Sequence, residues 1–156
     1  MNEKQEKVLK VARSLVGTPY QRGAPPEEGQ KHSDCTSFVI YVYMQIGIRL
    51  EGRHSHELAY RNGTRIRDWD PVTCAGLEIG DLLYFRGTWG YYRDKYFPGE
   101  EIYIGHVAIY AGNGNAIHAA DPDQEQGQVG KPGAWEQPLK EIMMGRGPIV
   151  VVKRLL

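Results

Sequence analysis

The sequence predicts an α+β fold in which N-terminal helices pack on an antiparallel β-sheet. Helical patterns occupy the first part of the chain, and short β-branched runs occupy the second half, which is the order typical of this class. A Gly-Asn-Gly turn at 112–114 separates two of the runs and indicates a β-hairpin. The length of 156 residues suits one domain, and no linker or repeat divides it. We therefore expect a single domain over residues 1–156.

Three helices are predicted before the strands begin. The first covers 2–16, where apolar residues recur at helical spacing and Gly17 with Pro19 blocks continuation. The second covers 35–46 and is apolar nearly all round, which is typical of a buried helix; Ser33 or Asp34 can cap its start. A short third helix can be capped by Ser55 and stop near 62–63. The predicted strands follow, at 82–85, 106–111, 115–120 and 148–156.

Composition excludes several classes of protein. Lys and Arg number 19 and so do Asp and Glu, so the chain lacks the positive charge of a nucleic-acid binder. No apolar run approaches the ~20 residues that a membrane span requires. The charged start MNEKQEKVLK has no apolar stretch typical of a secretory signal, so we expect either another route of export or a leader that has been removed. Two cysteines make no disulfide framework, and we expect Cys35 and Cys74 to be free thiols.

Cys35 stands at the predicted start of the second helix, between polar residues. The unpaired N–H groups of a helix N-terminus stabilise a thiolate, so the position predicts a lowered thiol pKa and a reactive cysteine. The same N–H groups can bind an oxyanion formed beside the sulfur. The alternative is a small buried hydrophobic residue, which is the common role of a free cysteine.

A thiolate nucleophile needs a base, and two of the five histidines, His106 and His118, lie on the predicted hairpin. Side chains alternate along strands, so a two-residue turn would place these rings on opposite faces of the sheet. A three-residue loop at 112–114 would pair Ala108 with His118 and place both rings on one face, about 7–8 Å apart along the diagonal. We expect the longer loop, with Gly114 in its left-handed position. Small alanines beside the rings indicate a site with room above it.

The sequence does not favour a metal site. Structural zinc sites usually contain a closely spaced pair such as C-x₂-C or H-x₃₋₅-H, and neither pair occurs. We expect no metal and no cofactor.

Six segments in order resemble the NlpC family of papain-like cysteine peptidases. They are TPY (18–20), DCTSFVIYVY (34–43), GIRL (47–50), GDLLYF (80–85), GHVAIYAGNG (105–114) and AIHAA (116–120). The resemblance implies a papain-like fold with Cys35 as nucleophile, His106 as general base and His118 as the third, orienting residue. It also implies that Tyr20 lines the site, and it makes Asp34, Thr36 and Ser55 candidates for contact with a bound peptide.

The substrate that the resemblance implies is a stem peptide of bacterial peptidoglycan, cut between D-γ-glutamate and diaminopimelate. It implies a cell-envelope or secreted location, although the chain shows no signal peptide. The residues alone indicate only amide or thioester chemistry. An amidase or acyltransferase on the same fold, and a non-catalytic cell-wall binding module, remain open as alternatives.

Two departures from the family pattern bear on the site. Ser37 stands where the family has a glycine, and a serine in the first turn of a helix is harmless. The connection 86–105 is long and rich in aromatic residues. We expect it either to wall the substrate groove or to cover the sheet edge.

Overall fold

The computed structural model describes residues 1–91, 96–121 and 132–156, without the side chains of 88–91. Part of the predicted aromatic connection therefore lies outside the described residues, namely Tyr92 and the side chains of Trp89 and Tyr91.

Four α-helices and six strands form the described part of the chain. The helices are α1 (Glu3–Ser14), α2 (Cys35–Gln45), α3 (Ser55–Arg61) and α4 (Leu139–Arg146), with a short 3₁₀ helix at Pro26–Glu28. The strands are β1 (Thr64–Ile66), β2 (Leu82–Tyr91), β3 (Ile104–Gly112), β4 (Asn115–Ala120), β5 (Gly133–Pro138) and β6 (Ile149–Arg154). No helix in these described ranges is long and apolar enough to span a membrane.

The strands form one antiparallel sheet in the order β1-β6-β2-β3-β4-β5. Buried side chains of α1, α2 and α3 pack on one face, where Val107 and Ile109 of β3 join the larger core. The other face is covered by α4, whose Leu139 and Ile142 pack against Leu83 of β2. The predicted α+β class, with N-terminal helices on an antiparallel sheet, is confirmed.

Helix α2 begins at Cys35 because Asp34 caps it. The Asp34 carboxylate accepts the Ser37 N–H at 2.8 Å, and the Ser37 hydroxyl accepts the Asp34 N–H at 2.8 Å. This reciprocal capping box satisfies two amides that would otherwise lack partners at the helix start. Of the two predicted caps, Asp34 is therefore the one used, and Ser37 strengthens the helix start.

The β3–β4 hairpin reaches the predicted register by a different route. The connecting turn has two residues, Asn113 and Gly114, both with positive φ, and Gly112 pairs with Asn115. An irregularity between Tyr110 and Gly112 then shifts the register by one residue. The predicted three-residue loop is wrong, but a β-bulge supplies the same extra residue and restores the expected register.

Some elements escape the sequence patterns or differ from them. Strands β1 and β5 and helix α4 were not predicted. Helix α3 is capped by His54, not by Ser55, because the Glu57 carboxylate accepts the His54 N–H at 3.2 Å. Ser55 becomes the first helical residue instead, and its hydroxyl donates to the Ile104 carbonyl at 3.5 Å.

The described part of the aromatic connection packs against α3. Tyr96 contacts the rings of His56 and Tyr60, and Phe97 packs against the larger core. The guanidinium of Arg65 lies 5.8 Å from the Phe97 ring centroid, a favourable cation–π contact. Among the described residues, this segment therefore covers the core beside α3, and these contacts test neither the expected groove wall nor the expected cover of the sheet edge.

Candidate active site

Cys35 is the first residue of α2, half-buried against the backbone of β3. The Val107 N–H hydrogen-bonds to its thiol, which places the sulfur beside the residue that follows His106. Cys35 also lies at the end of α2 where the first-turn N–H groups have no helical acceptor before them. The structure thus brings the predicted nucleophile to the strand that carries the predicted base.

The expected fall in the thiol pKa is wrong. Burial raises the pKa of Cys35 to about 11, and the neighbouring Asp34 carboxylate raises it further. The guanidinium groups of Arg146 and Arg53 act in the opposite direction but do not compensate. Loss of hydration therefore exceeds the opposing effects of the two guanidinium groups and the Val107 N–H, and the resting thiol is neutral at pH 7.

His106 and His118 lie on one face of the sheet, as predicted. His106 Nε2 lies 2.8 Å from His118 Nδ1, and the two rings meet edge to face with centroids 5.0 Å apart. His118 Nε2 lies 2.5 Å from Gln137 Oε1 on the neighbouring strand β5. Both rings are almost completely inaccessible to solvent.

The partners of these rings fix their tautomers. Arg146 Nη2 lies 3.0 Å from His106 Nδ1, and a guanidinium can only donate, so this Nδ1 accepts. His106 must then carry its proton on Nε2 and donate it to His118 Nδ1. His118 in turn donates from Nε2 to the Gln137 carbonyl oxygen. The result is one directed chain of hydrogen bonds from Arg146 through both imidazoles to Gln137.

Both imidazoles are neutral in this arrangement. Burial lowers the pKa of His118 to about 4, although the Gln137 hydrogen bond opposes the shift. Burial also lowers the pKa of His106 well below its usual value, and the charge of Arg146 adds to that effect. A neutral His106 is the protonation state that a base requires.

Among the described residues, packed side chains occupy the space that was expected above the histidines. Phe85 packs on the His106 ring with centroids 5.8 Å apart, and Leu139 and Ile142 of α4 join Ala108 in a second core on this face. The expectation was wrong because α4 was not predicted, and α4 fills the space that the small alanines leave. A cavity of about 490 Å³ instead lies at Leu15, Thr18, Gln30, Tyr41 and Gln45.

Asp34 and Thr36, the two predicted neighbours of the nucleophile, are bound by Arg53. One guanidinium nitrogen lies 2.8 Å from Asp34 Oδ2, and the other hydrogen-bonds to the Thr36 hydroxyl. Thr36 also donates to Asp34 Oδ1 at 3.1 Å. Burial alone would raise the pKa of Asp34, but the hydrogen bonds from Arg53 and the Ser37 N–H lower it. Asp34 is therefore an ionised, fixed carboxylate beside Cys35.

Tyr20 and Ser55 lie on two other sides of the site. Tyr20 pairs with Ser33 in a short parallel bridge, and its pKa is raised by burial and by the nearby Cys35 and Asp34. Its hydroxyl is therefore a neutral donor near the thiol.

Ser55 is buried and donates to the β3 backbone. The structure thus brings Tyr20, Asp34 and Thr36 to Cys35, and it gives Ser55 a packing contact with the strand of His106.

Sequence reasoning missed Arg146 and Gln137. Both lie on elements that it did not predict, α4 and β5. Desolvation lowers the pKa of Arg146 to about 10, while the electrostatic influence of Cys35 and Tyr20 opposes the shift. Its charge therefore lies inside the candidate site, among Cys35, His106 and Tyr20. The periodicity of apolar residues in α4 is too weak to predict that helix, so the sequence did not reveal Arg146.

No group of three or more His, Cys, Asp and Glu side chains that could hold a metal ion occurs in the described residues. Cys35 and Cys74 are both free thiols, as expected. Cys74 packs against the second core and hydrogen-bonds with Tyr110, whereas Cys35 packs against the larger core.

Comparison with known proteins identifies the family of this chain. The family model of the NlpC/P60 family matches residues 17–143. The chain belongs to the NlpC/P60 family. The match includes Cys35, His106 and His118, whereas Arg146 lies beyond it.

Several relatives of this NlpC/P60 chain carry enzyme names. It is 33% identical over 110 residues to the "Probable endopeptidase p60" of Listeria grayi, covering 70% of this chain and 17% of that protein. It is 30% identical over 128 residues to "Murein DD-endopeptidase MepH" of Escherichia coli (strain K12), covering 78% and 40%. The chain thus spans less than half the length of these relatives.

A solved structure shows the same fold. The NlpC/p60 domain of peptidoglycan hydrolase SagA superposes with a TM-score of 0.66 at 24% identity, covering 99% of this chain and 100% of that one. The papain-like α+β fold expected from the resemblance is confirmed at this level.

Proposed function

We propose that this chain is a cysteine endopeptidase that hydrolyses an amide bond in the stem peptides of bacterial peptidoglycan. One observation carries the proposal: the 2.8 Å contact between His106 Nε2 and His118 Nδ1, on the strand whose backbone holds the thiol of Cys35. Nucleophilic amide hydrolysis requires a thiol and an oriented imidazole base within its reach, and the proposal assigns these roles to Cys35 and His106. Both relatives are named endopeptidases, and the name of the Escherichia coli relative gives murein as its substrate, which supports the same substrate class.

The first half of the proposed reaction transfers the acyl group to sulfur. Because the thiol is neutral at rest, the Cys35 proton moves to His106 Nδ1 as the sulfur attacks the amide carbon. A C–S bond forms, and the carbonyl oxygen becomes an oxyanion. When the C–N bond breaks, the proton on Nδ1 passes to the leaving amine. The products of this half are a free amine and a thioester on Cys35.

The second half releases the acid. His106 Nδ1 takes a proton from water, and the hydroxide adds to the thioester carbon. Collapse of this second tetrahedral intermediate breaks the C–S bond, and the sulfur recovers its proton from His106. A carboxylic acid leaves, and the resting neutral pair returns.

His118 and the helix end would stabilise the charges that develop. His106 becomes an imidazolium in each half, and its Nε2–H then donates a charge-assisted hydrogen bond to His118 Nδ1. The oxyanion forms beside the Cys35 N–H and within reach of the neutral Tyr20 hydroxyl. Donors of this kind contribute roughly 10²–10³ in rate each.

The bond that we propose is D-γ-glutamyl to diaminopimelate, with Tyr20, Asp34, Thr36 and Ser55 as candidates for contact with the peptide. Thr36 and Ser55 are buried, so their contribution would be to hold Asp34 and β3 in place. The Escherichia coli relative is named a DD-endopeptidase, so a different bond of the stem peptide is the specific competitor.

A digest in ¹⁸O-labelled water tests the proposal. Purified muropeptides of the diaminopimelate type are incubated with the chain and with its Cys35→Ala variant, and the products are sequenced by mass spectrometry. We expect a new amine on diaminopimelate and one ¹⁸O in the new glutamyl carboxylate, with no products from the variant. In a parallel digest that contains an added amine, a product joined to that amine and free of ¹⁸O would identify an acyltransferase. The absence of cleavage by either protein would contradict the proposal.

A further inference from the structure

Both ring nitrogens of His106 are occupied in the structure. Nε2 lies 2.8 Å from His118, and Nδ1 lies 3.0 Å from the Arg146 guanidinium. The proposed reaction needs Nδ1 to accept the proton of Cys35. One lone pair cannot accept from a guanidinium and from a thiol at once, so one of the two contacts must open before catalysis.

The position of each partner indicates which contact opens. His118 lies in the interior of the sheet, with its other nitrogen held by Gln137. Arg146 is the last residue of α4, and Gly147 follows it with a φ of 94°. Because the guanidinium reaches Nδ1 through a long side chain, a rotation about its χ angles would release Nδ1 without moving the sheet. Arg146 is therefore the movable partner.

A carboxylate is the chemical group that would draw this guanidinium away. Arginine binds a carboxylate through two parallel hydrogen bonds, each assisted by charge, whereas a neutral imidazole nitrogen offers one acceptor. The guanidinium lies near both Cys35 and Tyr20, so a carboxylate bound to it would sit next to the scissile amide.

We propose that Arg146 is a specificity residue that holds His106 Nδ1 in the absence of substrate and releases it to bind a substrate carboxylate adjacent to the scissile bond. The inference rests on the proposed function, since it assigns a role relative to Cys35 and His106. It adds a residue beyond the part of the chain that the family model matches. It also states which substrates the site prefers: peptides with a free carboxylate beside the bond that is cut.

The first test measures the reactivity of Cys35 without substrate. All proteins carry Cys74→Ser, so that only Cys35 reacts, and the rate of alkylation by iodoacetamide is measured at pH 7. Arg146→Gln should react about tenfold faster than the parent, because it loses one charge-assisted hydrogen bond to Nδ1 and a bond of this kind corresponds to a factor of roughly ten. Arg146→Lys should fall between them. Arg13→Gln, which removes an exposed arginine paired with Glu136, is the control and should match the parent.

The direction of this change separates the proposal from a simple electrostatic role. The positive charge of Arg146 lowers the pKa of the Cys35 thiol. If that were its whole contribution, Arg146→Gln would react more slowly than the parent. A slower or unchanged rate in a variant that melts like the parent would overturn the inference.

The second test measures selectivity between two peptides. The γ-D-glutamyl-diaminopimelate peptide is compared with the same peptide in which the α-carboxylate of glutamate is an amide. We expect the parent to prefer the carboxylate about tenfold in kcat/KM, mainly through KM, and Arg146→Gln to lose that preference. A preference that persists in Arg146→Gln would overturn the inference while leaving the proposed function intact. If neither peptide is cleaved, the proposed function fails and the substrate preference fails with it, whereas the alkylation rates still decide whether Arg146 holds His106.

Discussion

Replacing His118 with alanine should reduce turnover much more than it changes folding. The substitution removes the acceptor 2.8 Å from His106 Nε2, and among the described residues no other side chain accepts from that nitrogen. In the transition state His106 is an imidazolium, and a hydrogen bond to a charged group is worth roughly 1.5–3 kcal/mol. At about 1.4 kcal/mol for each factor of ten, kcat/KM should fall roughly 10- to 150-fold.

Two further variants make this prediction specific. His118→Gln keeps an oxygen that can accept from Nε2, and we expect it to recover part of the lost rate. Ile117→Val trims a fully buried side chain on the opposite face of β4, and it should lower the melting temperature with kcat/KM unchanged.

The assay is cleavage of a stem peptide, normalised to folded protein by circular dichroism. The reasoning would be refuted if His118→Ala kept kcat/KM within threefold of the parent, or if Ile117→Val lost activity to the same degree.

Three other predictions follow from the buried charges. Stability should fall as the pH drops from 6.5 to 4, because burial lowers the pKa of His118 to about 4 and the unfolded chain therefore binds the proton first; this loss approaches about 3 kcal/mol. His118→Gln should weaken the dependence of the melting temperature on pH and leave the part that is due to His106, whose pKa burial also lowers. Arg154→Ala should destabilise the fold by roughly 3 kcal/mol, because Arg154 donates two 2.8 Å hydrogen bonds to the buried Asp81. Urea titration measures this loss, and kcat/KM per folded molecule should not change. Arg53→Met should destabilise by roughly 1–3 kcal/mol, and adding Asp34→Asn should restore part of that loss; a double variant no better than the single one would contradict the ion pair.

The local signals in the sequence were sufficient for the elements that carry Cys35, His106 and His118, the proposed catalytic residues. Periodicity and capping residues located α2 and placed Cys35 at its start. Side-chain alternation, once the register was chosen, placed His106 and His118 on one face. These features depend on contacts close in sequence, so a single chain reveals them.

The features that sequence reasoning missed depend on distant contacts. Strand β5 forms because it pairs with β4, and helix α4 forms because it packs on the sheet. Neither element has a strong local pattern in the sequence. The pKa of Cys35 depends on how deeply the thiol is buried, which the helix position alone does not reveal. The role of Arg146 combines both problems, since its helix was not predicted and its partner lies 40 residues away.

The most direct measurement of the central claim compares two single cysteine variants in the cleavage of a stem peptide. The account predicts that Cys35→Ala loses at least about 10⁴-fold in kcat, as removal of a nucleophile should, while Cys74→Ala keeps the parent rate. Both proteins should melt within a few degrees of the parent. If Cys35→Ala retained turnover within tenfold of the parent, another group would be performing the chemistry, and the assignment of the thiol and its two histidines would be wrong.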